Sequence, residues 1–128
     1  NNATIEFNSA PQGSGINSDS SLTFQGTTSL GSDITSSGDQ TYSGPVKITS
    51  SVSLTTTGNF EIDGNFTGTG DASITLNGSG NTTFLNADII TAGHPIQILD
   101  SVVLGQNVTL NTTNEGNPGG FIIFRDPK

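Results

Sequence analysis

His94 is the only histidine of the chain, and it sits in Gly93-His-Pro95, the first place to look for acid–base chemistry near neutral pH. An imidazole acting as a general base needs a carboxylate to orient it and a nucleophile to work on. Asp88 and Asp100 are its neighbours in sequence only, and there is no cysteine to serve as a thiolate. His94 therefore reads as a turn residue outside the core. Paired carboxylates are the second chemistry to test, because glycoside hydrolysis needs two of them roughly 5–9.5 Å apart across a sugar. Asp63, Asp71, Asp88 and Asp100 follow at uneven intervals that do not line one face. Lys47, Arg125 and Lys128 are too few cations to hold an anionic polysaccharide. No enzymatic activity is expected. Calcium is the remaining ligand chemistry, since Asp, Asn and carbonyl oxygens suit a hard cation. Asp19, Asp33 and Asp39 are the candidate members of such a site. No D-x-[DN]-x-[DN]-G loop accompanies them, so solvated turn carboxylates are the default and no resident cofactor is expected.

The elements that must position these residues are short and polar. Asn, Ser, Thr and Gly supply 65 of the 128 residues, and Ile, Val, Leu and Phe only 32. A net charge of −8 with three cations cannot release counterions from nucleic acid. No apolar run approaches the ~18 residues of a membrane span, and none resembles a signal peptide, so the chain reads as a mature protein or a piece of a longer one. Helical spacing of apolar residues is missing. Apolar–polar–apolar triplets recur instead, bounded by Gly, Asn, Asp or Ser: Leu22-Thr-Phe24, Val46-Lys-Ile48, Val52-Ser-Leu54, Phe60-Glu-Ile62, Ile74-Thr-Leu76, Ile96-Gln-Ile98 and Val108-Thr-Leu110. These are very short strands with one face inward.

Their spacing says more than their existence. Val52/Leu54, Ile74/Leu76 and Ile96/Ile98 follow at 22 residues, and Phe121/Ile123 comes 25 later. Phe60/Ile62, Thr82/Phe84 and Val102/Leu104 form a second series, and Phe66, Ile89 and Val108/Leu110 a third. Three interleaved series with one period predict a solenoid whose coil is the repeat. Asn65, Asn86 and Asn107 lie 21 apart, each before the third strand of its coil, and predict a stacked ladder of turn amides. Asn59 and Asn81 suggest a second ladder before the second strand.

The rival is an antiparallel β-sandwich, supported by the hairpin signals Asp63-Gly64 and Asn77-Gly78. Hairpins there would place Ile62 opposite Asn65 and Leu76 opposite Ser79, setting apolar against polar residues on one face. A parallel coil instead puts Leu54, Leu76 and Ile98 in one interior stack. The expected fold is thus all-β, a right-handed parallel β-helix of about 22 residues and three short strands per coil. Residues 1–20 are expected to be an N-terminal strand and flexible arm or cap, and 21–128 the β-helix. Leu54, Leu76, Ile98, Phe60, Ile62 and Phe84 are the expected core.

The stretch Gly38-Asp-Gln-Thr-Tyr-Ser-Gly-Pro-Val46, continuing to Leu54-Thr-Thr-Thr-Gly-Asn-Phe60, resembles a repeat of giant bacterial exoproteins of the filamentous-haemagglutinin type. The resemblance is clear over residues 38–86, weaker to 124 and absent before 30. It implies a parallel β-helix in a secreted or cell-surface adhesin, a structural rod whose partners are the rest of a longer chain, a host or cell-surface receptor, or a glycan. The Asn-Pro-Asn-Gly secretion signature is missing, and Asn117-Pro-Gly-Gly only partly echoes it.

Two other functions are weighed. The terminal apolar segments, Ile5 and Phe7 at one end and Phe121 and Ile123 at the other, suggest homotypic end-to-end contacts, as in a fibre subunit that grows by strand addition. A carbohydrate- or calcium-binding module would use outward Asn, Asp and aromatic side chains, with Tyr42 the main aromatic candidate.

Overall fold

The computed structural model describes residues 4–7, for the backbone alone, and residues 16–125. Seventeen strands of two to five residues follow one another with a single 3-10 turn, Asn114–Gly116, between the last two. Every strand pairing is parallel. Sheet 1 is β1 (Thr4–Phe7), β3 (Ser21–Phe24), β6 (Gln40–Tyr42), β9 (Phe60–Ile62), β12 (Thr82–Leu85) and β15 (Ser101–Leu104). Sheet 2 is β4 (Thr28–Leu30), β7 (Val46–Ile48), β10 (Phe66–Gly68), β13 (Ile89–Ile90) and β16 (Leu110–Asn111). Sheet 3 is β2 (Ile16–Ser18), β5 (Ile34–Ser36), β8 (Val52–Thr56), β11 (Ile74–Asn77), β14 (Ile96–Ile98) and β17 (Ile122–Phe124). The chain visits sheets 1, 2 and 3 in that order, turn after turn, so the molecule is a parallel β-solenoid of three sheets around one interior. Among the described residues no helix is long and apolar enough to cross a membrane.

Alternation builds the interior. Inward residues are buried and their neighbours exposed or half-buried, as in the buried–exposed–buried pattern of β5, β7 and β9. Ile16, Ile34, Leu54, Leu76, Ile98 and Phe124 stack in one row of sheet 3. Leu54, Leu76, Ile98, Phe60 and Ile62 are wholly buried, each such side chain contributing about 1.5–3 kcal/mol through apolar burial. The step between equivalent residues of this row is not constant. It is 18 from Ile16 to Ile34, 20 to Leu54, 22 to Leu76, 22 to Ile98 and 26 to Phe124.

Two expectations change because of those unequal steps. Phe84, expected in the core, faces outward and is 37% exposed; Thr83 and Leu85 take the inward places opposite Phe60 and Ile62. The corner between β11 and β12 carries one more residue than the corner beneath it, and with a side-chain period of two that slip turns the whole strand over. At the C-terminal end the same slip occurs: Ile122 and Phe124, not Phe121 and Ile123, lie in register with Ile96 and Ile98. The extra length is the 3-10 turn after β16, where Glu115 and Gly116 take positive φ. Ile34 belongs to a first strand, β5, while Leu22 and Phe24 belong to β3 of the preceding coil. Residues 16–18 of the stretch read as an arm form β2; residues 8–15 lie outside the described residues.

Part of the interior is polar and fully bonded. Tyr42 is buried, stacked on Phe24 at 4.7 Å between ring centres and edge-on to Phe66 at 5.1 Å. It is thus not an outward aromatic. Its hydroxyl donates to Gln40 Oε1 at 2.6 Å, and Gln40 Nε2 donates to Ser36 Oγ and to the Thr55 carbonyl. Burial pushes the phenol well above its ordinary range.

Candidate functional site

The corners of the coils hold most of the side chains with chemistry, and they are occupied in building the stack. A single device recurs: a side-chain oxygen at a corner accepts a hydrogen bond from the backbone N–H one coil later. Asp33 Oδ1 accepts from Ser53 N at 2.9 Å, Asp39 Oδ1 from Asn59 N at 2.8 Å, and Asn59 Oδ1 from Thr82 N at 3.0 Å. Ser51 Oγ does the same for Ser73 N, Asn65 Oδ1 for Asp88 N, and Asp88 Oδ1 for Thr109 N. Short polar side chains suit these places because they reach the backbone of the next rung about 4.8 Å away.

The proposed ladders are therefore differently composed. Asn65 is followed by Asp88 and Thr109, not by Asn86 and Asn107. Asn86 instead lies at a corner one turn above Gly64 and beneath Gly105, giving its amide N–H to Asp63 Oδ1 at 2.8 Å. A Cβ on Gly64 would lie 1.9 Å from the Gly44 carbonyl oxygen, and one on Gly44 would lie 2.0 Å from that of Gly26. The close approach of successive backbones explains why glycine fills this corner in three coils. Asn59 pairs with Thr82, while Asn81 turns its amide to the carbonyls of Thr57 and Gly78.

Asp100 is the least predictable of the carboxylates. It is 3% exposed, and its two oxygens accept from Gly78 N at 2.7 and 2.8 Å, Gly80 N at 3.3 Å and the Thr83 hydroxyl at 3.0 Å. Residues 78–81 turn around it, with Ser79 at φ 58° and Gly80 at φ 85°, so that successive N–H groups converge on one point. The corner beneath Asp100 is one residue long and the corner of Asp100 itself is short, so the carboxylate fills the difference. Sequence spacing marks Asp100 only as an acid near His94; the Gly78-Ser-Gly80 run was the signal that a nest of amides was available.

The remaining candidates do not converge. His94 Nε2 lies 3.4 Å from Asp71 Oδ1, and Asp71 is fully exposed. The Thr91 hydroxyl donates to the carbonyl of His94, holding its turn. Asp33 and Asp39 are spent on backbone N–H groups of the next coil, and Asp19 is exposed. Among the described residues no three His, Asp or Glu side chains are grouped to hold a metal ion.

One acidic pair is electrostatically unusual. Glu61 shares a hydrogen bond with Asp63, is partly desolvated, and feels the charges of Asp63 and Asp39, all of which push its carboxyl above the ordinary 4.5. A carboxyl raised in the folded state contributes stability that is fully present below its unfolded value and lost as the pH rises through the folded one. Glu61→Gln keeps a donor for Asp63 without the charge. It should raise Tm by about 1–2 °C at neutral pH and leave it unchanged below 4.5, as followed by circular dichroism. A Tm lower than wild type at neutral pH would contradict this account.

The last coil differs from the rest. Leu104, Phe121, Ile122 and Phe124 are 57%, 74%, 41% and 54% exposed, and the outward Val103 is 48% exposed. Leu85, Val102, Leu104, Val108, Leu110 and Phe124 line an apolar cavity of about 440 Å³. These are the inward rows of the solenoid, continued to its final rung. Comparison with family models, with curated proteins and with solved structures finds no match to this chain.

Proposed function

We propose that this chain is a structural rod segment of a secreted or surface-exposed bacterial adhesin of the filamentous-haemagglutinin type, and that it is not an enzyme. The observation that carries the reading is the use of the polar side chains. Asp33, Asp39, Asn59, Asn65, Asp88 and Asp100 each hold backbone N–H groups of a neighbouring coil. Chemistry-bearing residues are thus spent on stacking, which is what a rod requires. The resemblance over residues 38–86 supports the surface setting, and the absence of cysteine is compatible with it.

A rod tolerates a change in the number of its coils but not in their phase. Leu54 and Leu76 are register partners, so deleting residues 55–76 removes one complete coil and rejoins equivalent positions. That variant should fold cooperatively, with the same β-rich circular dichroism spectrum and a Tm within about 10 °C of wild type. Deleting residues 55–65 leaves half a coil and should abolish the transition. Equal loss of structure in both variants would overturn the rod reading.

A further inference from the structure

We propose that the C-terminal end of the solenoid is a docking surface for the N-terminal end of a second copy of this chain, with β15 of one molecule pairing in parallel with β1 of the next. The inference rests on the rod reading and adds a partner and a register to it.

Three observations carry it. The first is sheet order. Sheet 1 runs from β1 at one edge to β15 at the other, and sheet 3 from β2 to β17, so two sheets present edges from opposite ends of the molecule. All pairings are parallel, so a second copy stacked without inversion keeps the polarity of each sheet. The second is phase. The chain visits the sheets in the order 1, 2, 3, and the last described strand, β17, is in sheet 3. The next strand in the sequence of sheets belongs on β15, in sheet 1, and β1 is a sheet 1 strand. Stacking therefore continues the winding with neither a gap nor an overlap.

The third is the match of the rows. One row of sheet 1 runs Phe7, Phe24, Tyr42, Ile62, Leu85, Leu104, and another runs Ile5, Leu22, Gln40, Phe60, Thr83, Val102. Extending them by one rung sets position 7 of the second copy beside Leu104 and position 5 beside Val102. In sheet 3 the row ending in Phe124 continues with Ile16 of the second copy. Apolar positions meet apolar positions in all three, over the cavity and the exposed Leu104 and Phe124 described above. Such a contact is heterologous and does not close, so it propagates into a filament. A net charge of −8 on each copy opposes it, so added salt should promote assembly.

The row of position 6 passes through Thr23, Thr41, Glu61, Phe84 and ends at Val103, so docking sets position 6 of one copy beside Val103 of another. Adjacent parallel strands are spaced about 4.8 Å apart, within disulfide reach, and the chain has no other cysteine. Mixing Glu6→Cys and Val103→Cys chains under mild oxidation should give the mixed disulfide dimer at least about tenfold faster than mixing Thr41→Cys with Val103→Cys. In parallel, sedimentation of the wild-type chain from micromolar to millimolar concentration should show growing species, more so at high salt. Leu104→Lys, at an exposed position, should keep the wild-type Tm and abolish growth. A wild-type chain that stays monomeric at every salt concentration, or cross-linking no faster than in the Thr41 control, overturns the proposal. Either result leaves the coil-deletion test, and with it the rod reading, untouched.

Discussion

A Leu76→Asp chain is expected to show no cooperative unfolding transition at room temperature. Leu76 is wholly buried, with Leu54 directly below and Ile98 directly above in the same row. An aspartate there loses the apolar burial of the leucine, about 2–3 kcal/mol. It also places a carboxylate between two aliphatic side chains, and an uncompensated buried charge costs several kcal/mol more. The sum rivals the roughly 5–15 kcal/mol that stabilises an ordinary domain. Coils contact mainly their neighbours, so damage in the middle of the stack separates the coils below from those above. Urea titration followed by circular dichroism checks this, with Leu76→Met, which keeps volume and apolarity, as the tolerated control. A Leu76→Asp variant that retained the wild-type Tm would mean that the row Ile34–Leu54–Leu76–Ile98 is not interior.

The second large effect is expected at Asp100. Asp100→Ala should lower stability by about 3–5 kcal/mol, because it strands two backbone N–H groups and the Thr83 hydroxyl in a buried place. Hydrogen exchange should localise the change, with Gly78 and Gly80 amides losing protection while those of β8 keep it. Asp100→Asn retains one acceptor oxygen but points an amide N–H at the converging donors. Its cost should fall between wild type and alanine, about 1–3 kcal/mol. A surface role for Asp100 would instead make both substitutions neutral.

The contrast between these two sites shows what was legible in the sequence. Leu76 could be assigned to the interior because its neighbours at 22 residues on either side are also apolar, and apolar–polar–apolar triplets can bury only one face. Phe84 carried the same apparent evidence and was misplaced. Its strand follows a corner with one extra residue, and nothing in the alternation of Thr82, Thr83, Phe84 and Leu85 says which two face inward. Threonine is tolerated inside here because Asp100 accepts from the Thr83 hydroxyl, a partner 17 residues away. Likewise Asn65 was recognisable as a turn residue, but its partner, the N–H of Asp88, depends on the length of the intervening corner.

By itself, then, the sequence determined the class of fold, the parallel stacking and a coil of about twenty residues, because strand alternation and repeated apolar positions are periodic signals that local mutations of length do not erase. Tertiary structure alone decided the register at each corner, the burial of Tyr42 and Asp100, and the pairing of Asn65 with Asp88. It also decided that β1 and β15 are opposite edges of one sheet. Those outcomes depend on the unequal lengths of successive coils, steps of 18, 20, 22, 22 and 26 residues. A single residue more or less exchanges the inside and the outside of a strand, and only the stacked coil above it can say which was chosen.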